Sequence, residues 1–231
     1  RSQFNVGRRS LLDVLDSQNT RYNVQVRLET AKFSQVFARY QQADSAVPVA
    51  IVPNILDQQL FKPLATPIAL SAINTTSKVH LIVTRNLEAI YDVATSIAAF
   101  ALIKQDYPDA RLTIAGSGPL LNQLQQQVQQ LNLGSAVKLA GRLSTEQMAQ
   151  LYRSADIMLN SSLVDNSPNS VIEAMACGVP VISTNVGGIP RLVTDKTDAL
   201  LTEPGDYQAM FTYAQQLLTS PALRQHLVQN G

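Results

Sequence analysis

The amino-acid sequence predicts an α/β protein with a doubly wound parallel sheet, preceded by one long amphipathic helix. Three observations carry that reading. From Val79 onward, short apolar runs alternate with helix-length amphipathic segments, the pattern of strands joined by crossover helices. Residues 165 to 182 join a polar turn, a helix opening near Pro168, a tight turn at Gly178 and the apolar run Val179-Pro-Val-Ile182. In the first forty-odd residues, Phe4, Leu15, Val26 and Phe37 fall eleven apart, as do Leu11, Tyr22 and Phe33. Eleven residues is close to three helical turns, so this stripe stays on one face of a nearly straight helix that needs partner helices to bury it.

Length and composition bound the function classes. A chain of 231 residues buries a sizeable core in one or two domains. A net charge of +1 with no long like-charge block argues against a nucleic-acid or polyanion binder. One cysteine, Cys177, excludes an internal disulfide framework and a cysteine metal cluster. His80 and His226 stand alone, too few for a zinc site or a Ser-His-Asp constellation. No run of about 18 apolar residues suggests a spanning helix, and no signal-peptide pattern is present.

Taken in order, residues 1–41 read as the long helix and Gln42 to Val47 as a junction. Pro48 to Asp57 reads as a short buried strand and turn. Residues 58 to 78, with Pro63 and Pro67 and no periodicity, read as a linker. Strands are expected at 79–84, 111–115, 136–140, 157–160, 179–182 and 198–202. Helices are expected at 89–106, 119–131, 145–153, from Pro168, and from about Tyr207 and Pro221. In such a sheet, ligands bind beyond the carboxyl ends of the strands, where strand order reverses.

The candidate site residues lie at those ends. Asp165 stands in the loop before a helix and Glu173, eight residues on, a little over a turn inside it, so the two carboxylates can flank one ligand. The helix start offers backbone N–H groups to an anion. A capped helix with acids favoured by its dipole is the plain alternative. Arg85 directly follows the first strand of the alternating region, where a guanidinium can grip a diphosphate or merely cap a strand. Gly116 and Gly118, in Ala115-Gly-Ser-Gly-Pro119, permit close backbone approach to a ligand, or a tight turn. The third glycine of a dinucleotide fingerprint is missing, which weakens any nicotinamide reading. Arg142 and Leu143 follow the third strand.

The run Asn169-Ser-Val-Ile-Glu173-Ala-Met-Ala-Cys-Gly-Val-Pro-Val-Ile182 resembles the retaining, nucleotide-sugar-dependent glycosyltransferases of family 4, whose fold is the two-domain GT-B type with a Rossmann-like C-terminal domain. Val186-Gly-Gly-Ile-Pro-Arg191 is similar to the same family except at Arg191, where Glu is usual, and Asp165 stands where the first Glu of the family's acid pair is usual. The resemblance covers residues 48–231. It implies a nucleotide-diphospho-sugar as substrate, no cofactor and no metal, and a glycan or lipid-linked acceptor. It further implies that Arg85 neutralises the diphosphate and Leu143 with Arg142 lies at the base. Glu173 accepts from the ribose hydroxyls, while Asp165 with Asn166, Ser167, Asn169, Ser170 and Val171 meets sugar and phosphate. The lysine usual about five residues after the arginine is absent, positions 89 to 91 being Ala-Ile-Tyr.

Residues 3–41, beginning Gln3-Phe-Asn-Val-Gly-Arg-Arg-Ser-Leu-Leu, resemble a helical segment of TolC-like outer-membrane efflux proteins. The chain therefore reads as a chimera: this helix, a remnant of an acceptor domain with its linker over 42–78, and a nucleotide-sugar-binding domain over 79–231 that stops before the family's last helix. The catalytic part implies a cytoplasmic location, with a peripheral place at the inner membrane left open. The first helix alone implies the outer membrane or periplasm, and its stripe suits self-association. The competing readings are an efflux-channel fragment with a passenger, and a non-catalytic nucleotide-binding module.

Overall fold

The computed structural model describes residues 56–63 and 78–231. The helix expected over 1–41, the junction at 42–47, the strand at 48–55 and most of the linker lie outside the described residues.

Among the described residues, six strands form one parallel sheet. They are β1 (His80–Val83), β2 (Arg111–Ala115), β3 (Val137–Gly141), β4 (Ile157–Asn160), β5 (Val181–Thr184) and β6 (Leu200–Thr202), in the spatial order β3-β2-β1-β4-β5-β6. The chain builds outward from β1 to β3, returns to β1's other side with β4, and continues to β6. Strand order therefore reverses between β1 and β4, the place where sheets of this kind bind ligands at their carboxyl rim. Both strands are wholly buried, as expected of a parallel sheet covered on two faces.

The helices are α1 (Val93–Asp106), α2 (Leu121–Gln130), α3 (Thr145–Arg153), α4 (Asn169–Ala176), α5 (Ile189–Leu192), α6 (Tyr207–Thr219) and α7 (Pro221–Asn230). Right-handed crossovers running in opposite directions put α1 and α2 on one face and α3 and α4 on the other. Packing agrees, α1 lying against α2 and α6, and α3 against α4. Helix α1 is apolar nearly all round because it is enclosed between sheet and α6; Ile97, Phe100 and Ile103 have no exposed surface. Each contributes about 2 kcal/mol of apolar burial. The other core joins Ile82, Met158 and Val181 of the sheet to Ala149, Tyr152, Val171 and Ala174.

Besides the short helix α5, which the periodicity does not mark, three stretches differ from the sequence expectation. The helix expected from Ala89 is interrupted: Ala89–Tyr91 is a 3-10 turn, and Asp92 takes a left-handed conformation (φ 39°) before α1 begins. The Ser161 hydroxyl donates to the Asp92 carbonyl at 2.7 Å and Leu163 N–H to the Ile90 carbonyl at 2.7 Å, so contacts from the loop after β4 replace helical bonds. Strand β5 begins at Val181, not Val179, because the Val179 N–H bonds back to Ala174 of α4 and Pro180 has no N–H for the ladder. Within the stretch read as linker, Phe61 is 5% exposed and meets the Tyr152 ring edge-on, centroids 6.1 Å apart. The Arg153 guanidinium donates to the Leu60 carbonyl beside it.

Candidate functional site

The carboxyl rim at the strand-order reversal gathers most of the polar side chains singled out in the sequence. Arg85 stands two residues beyond β1, and its side chain is only 12% exposed. Its Nε donates to Oδ1 of Asn160, the last residue of β4, at 2.9 Å. That amide is itself fixed: Ser162 donates to the same oxygen at 2.9 Å, and Asn160 Nδ2 donates to Ser183 Oγ at 2.9 Å. The Tyr91 ring lies under the guanidinium, 4.9 Å from centroid to Cζ, a cation–π contact. Burial pulls the Arg85 pKa down to about 10, against the opposing pull of Tyr91, Tyr152 and Glu173, so it stays charged at neutral pH. Arg85 is thus braced by the end of β4 and the 3-10 turn, and it pairs with the Asp165 carboxylate, 10% exposed.

Glu173, in the second turn of α4, is half-buried. It accepts a hydrogen bond from Tyr152 of α3 at 2.9 Å, and the Tyr152 oxygen lies 3.0 Å from the Thr84 hydroxyl. With its single proton on Glu173, Tyr152 accepts from Thr84. Burial raises the Glu173 pKa, while the Tyr152 bond and the Arg85 charge pull it back. Burial first, and then the Glu173 charge, push the Tyr152 hydroxyl up, so it stays protonated and remains a donor.

The two acids expected to flank one ligand therefore have different partners: Asp165 neutralises Arg85, and Glu173 is oriented by Tyr152. The Asp165 loop is held by backbone contact. Gly188 N–H donates to the Asp165 carbonyl at 2.8 Å; a Cβ on Gly187 would stand 2.0 Å from the Asp165 carbonyl oxygen, and one on Gly188 1.7 Å from that of Asn166. Only glycines allow that approach. Gly116 and Gly118 serve the same purpose. A Cβ on Gly116 would lie 2.0 Å from the Arg85 carbonyl oxygen, and one on Gly118 2.4 Å from that of Leu87. Their close neighbour is therefore the Arg85–Leu87 backbone, and they support the arginine's segment.

Asn166, Ser167 and Asn169 are exposed around the start of α4. Ser170 is 7% exposed, and its hydroxyl has no hydrogen-bond partner among the described residues. Val171 departs from the expected donor contact: its side chain is wholly buried in the core and its N–H donates to the Pro168 carbonyl, so it serves packing. Arg142 is exposed and Leu143 half-buried after β3. Leu143 also lines a groove of about 470 Å³ beside α3, with His80, Arg111, Thr113, Lys138 and Gln150; Arg85, Asp165 and Glu173 take no part in it. Among the described residues, no group of three or more His, Cys, Asp or Glu is arranged to hold a metal ion, and no helix is long and apolar enough to cross a membrane.

Sequence reasoning missed Tyr91, Tyr152 and Asn160. Tyr91 occupied the place where a lysine was sought and was noticed only as a gap. Tyr152 falls inside the helix expected over 145–153, where nothing in the spacing marks its hydroxyl.

Known proteins bear on this arrangement. The family described as Glycosyl transferases group 1 matches residues 69–231. The N-acetyl-alpha-D-glucosaminyl L-malate synthase of Bacillus anthracis is 33% identical over 149 residues, 64% of this chain and 38% of that protein. The alpha-monoglucosyldiacylglycerol synthase of Streptococcus pneumoniae is 26% identical over 142 residues, 62% of this chain and 31% of its own length. The chain thus spans about a third of the length of these relatives. Among solved structures, sucrose-phosphate synthase from Thermosynechococcus elongatus is 27% identical with a TM-score of 0.71, covering 85% of this chain and 50% of that one. Anabaena HepE, solved with UDP and glucose, is 22% identical with a TM-score of 0.68, covering 83% and 53%. The C-terminal domain of a Francisella tularensis group 1 glycosyl transferase has a TM-score of 0.65 at 23% identity, covering 76% of this chain and 93% of that domain. A parallel sheet in Rossmann order, an arginine and an acid at its point of reversal, and a family match over most of the length converge: the chain belongs to the group 1 glycosyltransferases.

Proposed function

We propose that residues 79–231 bind the nucleotide-diphospho-sugar donor of a retaining, hexosyl-type glycosyl transfer at the carboxyl rim between β1 and β4. The observation that supports it best is the bracing of Arg85 by Asn160 and Tyr91 beside a Glu173 oriented by Tyr152. In this reading the donor diphosphate lies against Arg85 and the first turn of α4, with the Ser170 hydroxyl as a further donor. Glu173 accepts from the ribose hydroxyls, and the base lies by Arg142 and Leu143. When the glycosidic bond breaks, negative charge grows on the departing diphosphate. A fixed guanidinium and helix terminus stabilise that charge without reorganising. Asp165 and Glu173 act by holding groups in place, and neither is assigned as a general base.

A glycan or lipid-linked acceptor would be supplied from outside the described residues, and turnover belongs to the whole protein. That Anabaena HepE was solved with UDP and glucose makes uridine diphosphate the first probe. Isothermal titration of the chain with uridine and guanosine diphosphates, with and without EDTA, tests the reading. Saturable binding insensitive to EDTA is expected, and silence at millimolar concentration with both nucleotides, in the wild-type chain and in Asp165→Asn alike, would sink it.

A further inference from the structure

The Arg85–Asp165 pair has a consequence for ligand binding beyond its role in holding the rim together. Arg85 cannot turn away from Asp165, since Asn160 holds its Nε and Tyr91 lies under its plane. The Asp165 backbone cannot retreat either, because Gly187 and Gly188 press on residues 165 and 166 and Gly188 N–H holds the Asp165 carbonyl. Only the Asp165 side chain is left to move. Next to Arg85, positions 89 to 91 are Ala-Ile-Tyr and bring no second cation.

From this geometry we infer that Asp165 is a built-in competitor for the donor's diphosphate: its carboxylate occupies the Arg85 fork, and binding exchanges that carboxylate for a phosphate oxygen. This rests on the donor reading above. It gives Asp165 a role opposite in sign to a sugar contact, because a ligand-holding residue strengthens binding and a competitor weakens it. The exchange needs no loop opening, only a rotation about the short aspartate stem. Its net cost keeps nucleoside diphosphate affinity low and so favours release of the diphosphate product.

Titration calorimetry of uridine diphosphate, inorganic pyrophosphate and uridine against wild type, Asp165→Asn, Arg85→Gln and the Arg85→Gln/Asp165→Asn pair tests the inference. Asp165→Asn is expected to bind both diphosphates about tenfold more tightly and uridine equally, a gain of about 1.4 kcal/mol. In the Arg85→Gln background the same change is expected to give a markedly smaller gain, because the fork is gone. Where Asp165→Asn does not fold, Asp165→Ser carries the same expectation. Wild type binding uridine diphosphate with Asp165→Asn no tighter would overturn the competitor role and leave the donor reading standing. Failure of every variant to bind either diphosphate would overturn both. Wild type silent with Asp165→Asn binding would support the competitor.

Discussion

Strand β1 carries a buried titratable group at each end, and the two are used in opposite ways. At its start, His80 is 4% exposed. Its Nδ1 lies 2.8 Å from the Ser154 carbonyl, its Nε2 2.8 Å from the Thr113 hydroxyl, and its backbone N–H donates to Asp156 at 2.7 Å. Burial holds the imidazole below its ordinary pKa, so it is neutral at pH 7, with both ring nitrogens engaged by the protein. Beyond the other end, Arg85 is charged, held at its Nε by Asn160 and over the Tyr91 ring, and paired with the Asp165 carboxylate of a rim loop. Burial alone therefore does not mark a site. A histidine knitted into strand and helix backbone is architecture, whereas a fixed charge whose counter-ion is a loop side chain at the carboxyl rim is the arrangement the proposed donor site calls for.

The sharpest way to break this contrast is to remove each group. Arg85→Ala is expected to lower uridine diphosphate affinity about a hundredfold, roughly 3 kcal/mol for a charge-assisted contact. His80→Ala is expected to cost about 2 kcal/mol of folding stability and leave affinity in the folded protein unchanged. Calorimetry and denaturant unfolding of both variants check this, and a binding loss in His80→Ala would dissolve the distinction.

Asp92 extends the comparison to a group behind the rim. Its carboxyl is 2% exposed, accepts from the Thr95 hydroxyl at 2.6 Å, and is pushed by burial to about 7 from an ordinary 3.8. The folded state then holds a proton that the unfolded state releases between pH 3.8 and about 7. Unfolding is increasingly favoured as pH rises through that window, at up to about 1.4 kcal/mol per unit. Asp92→Asn keeps an acceptor for Thr95 and cannot ionise. Its stability relative to wild type is expected to rise by about 2 kcal/mol between pH 5 and pH 7, read by urea midpoints at each pH. A flat difference would mean that Asp92 is already ionised in the fold.

The smallest effect expected lies at Glu173. Tyr152→Phe removes the hydroxyl that orients it, and a loss of about fivefold in uridine diphosphate affinity is expected, near 1 kcal/mol. Pyrophosphate affinity is expected to stay unchanged, because only the ribose side is affected. An equal loss with both ligands would make Tyr152 a general support of the rim.

The alternation of the domain was legible in the sequence because buried parallel strands are near-continuous apolar runs. Strands 111–115 and 157–160 and helix 145–153 fall where the periodicity sets them. Arg85, Asp165 and Glu173 stand out as candidates by their places after strands or in a helix opening. What was hidden is pairing at long range. Arg85 and Asn160 are 75 residues apart, and Tyr152 and Glu173 sit on different helices. The break at Asp92 escaped notice because its cause, Ser161, lies 69 residues away. The helical reading of the first forty residues falls outside the described residues.

The glycine loop after β2 carries a lesson for redesign. Gly116 N–H donates to the Gly141 carbonyl at 2.8 Å, Leu87 N–H to the Ser117 carbonyl at 3.0 Å, and Leu120 N–H to the Leu87 carbonyl at 3.0 Å. The rim loops after β1 and β2 are thereby interlocked main chain to main chain and tied to the end of β3. Such a frame tolerates new side chains and resists new loop lengths, since one inserted residue would unseat its neighbours as well. In the proposed donor reading, where Arg142 and Leu143 lie by the base, a change of base selectivity is best sought by exchanging those two side chains on an unaltered backbone.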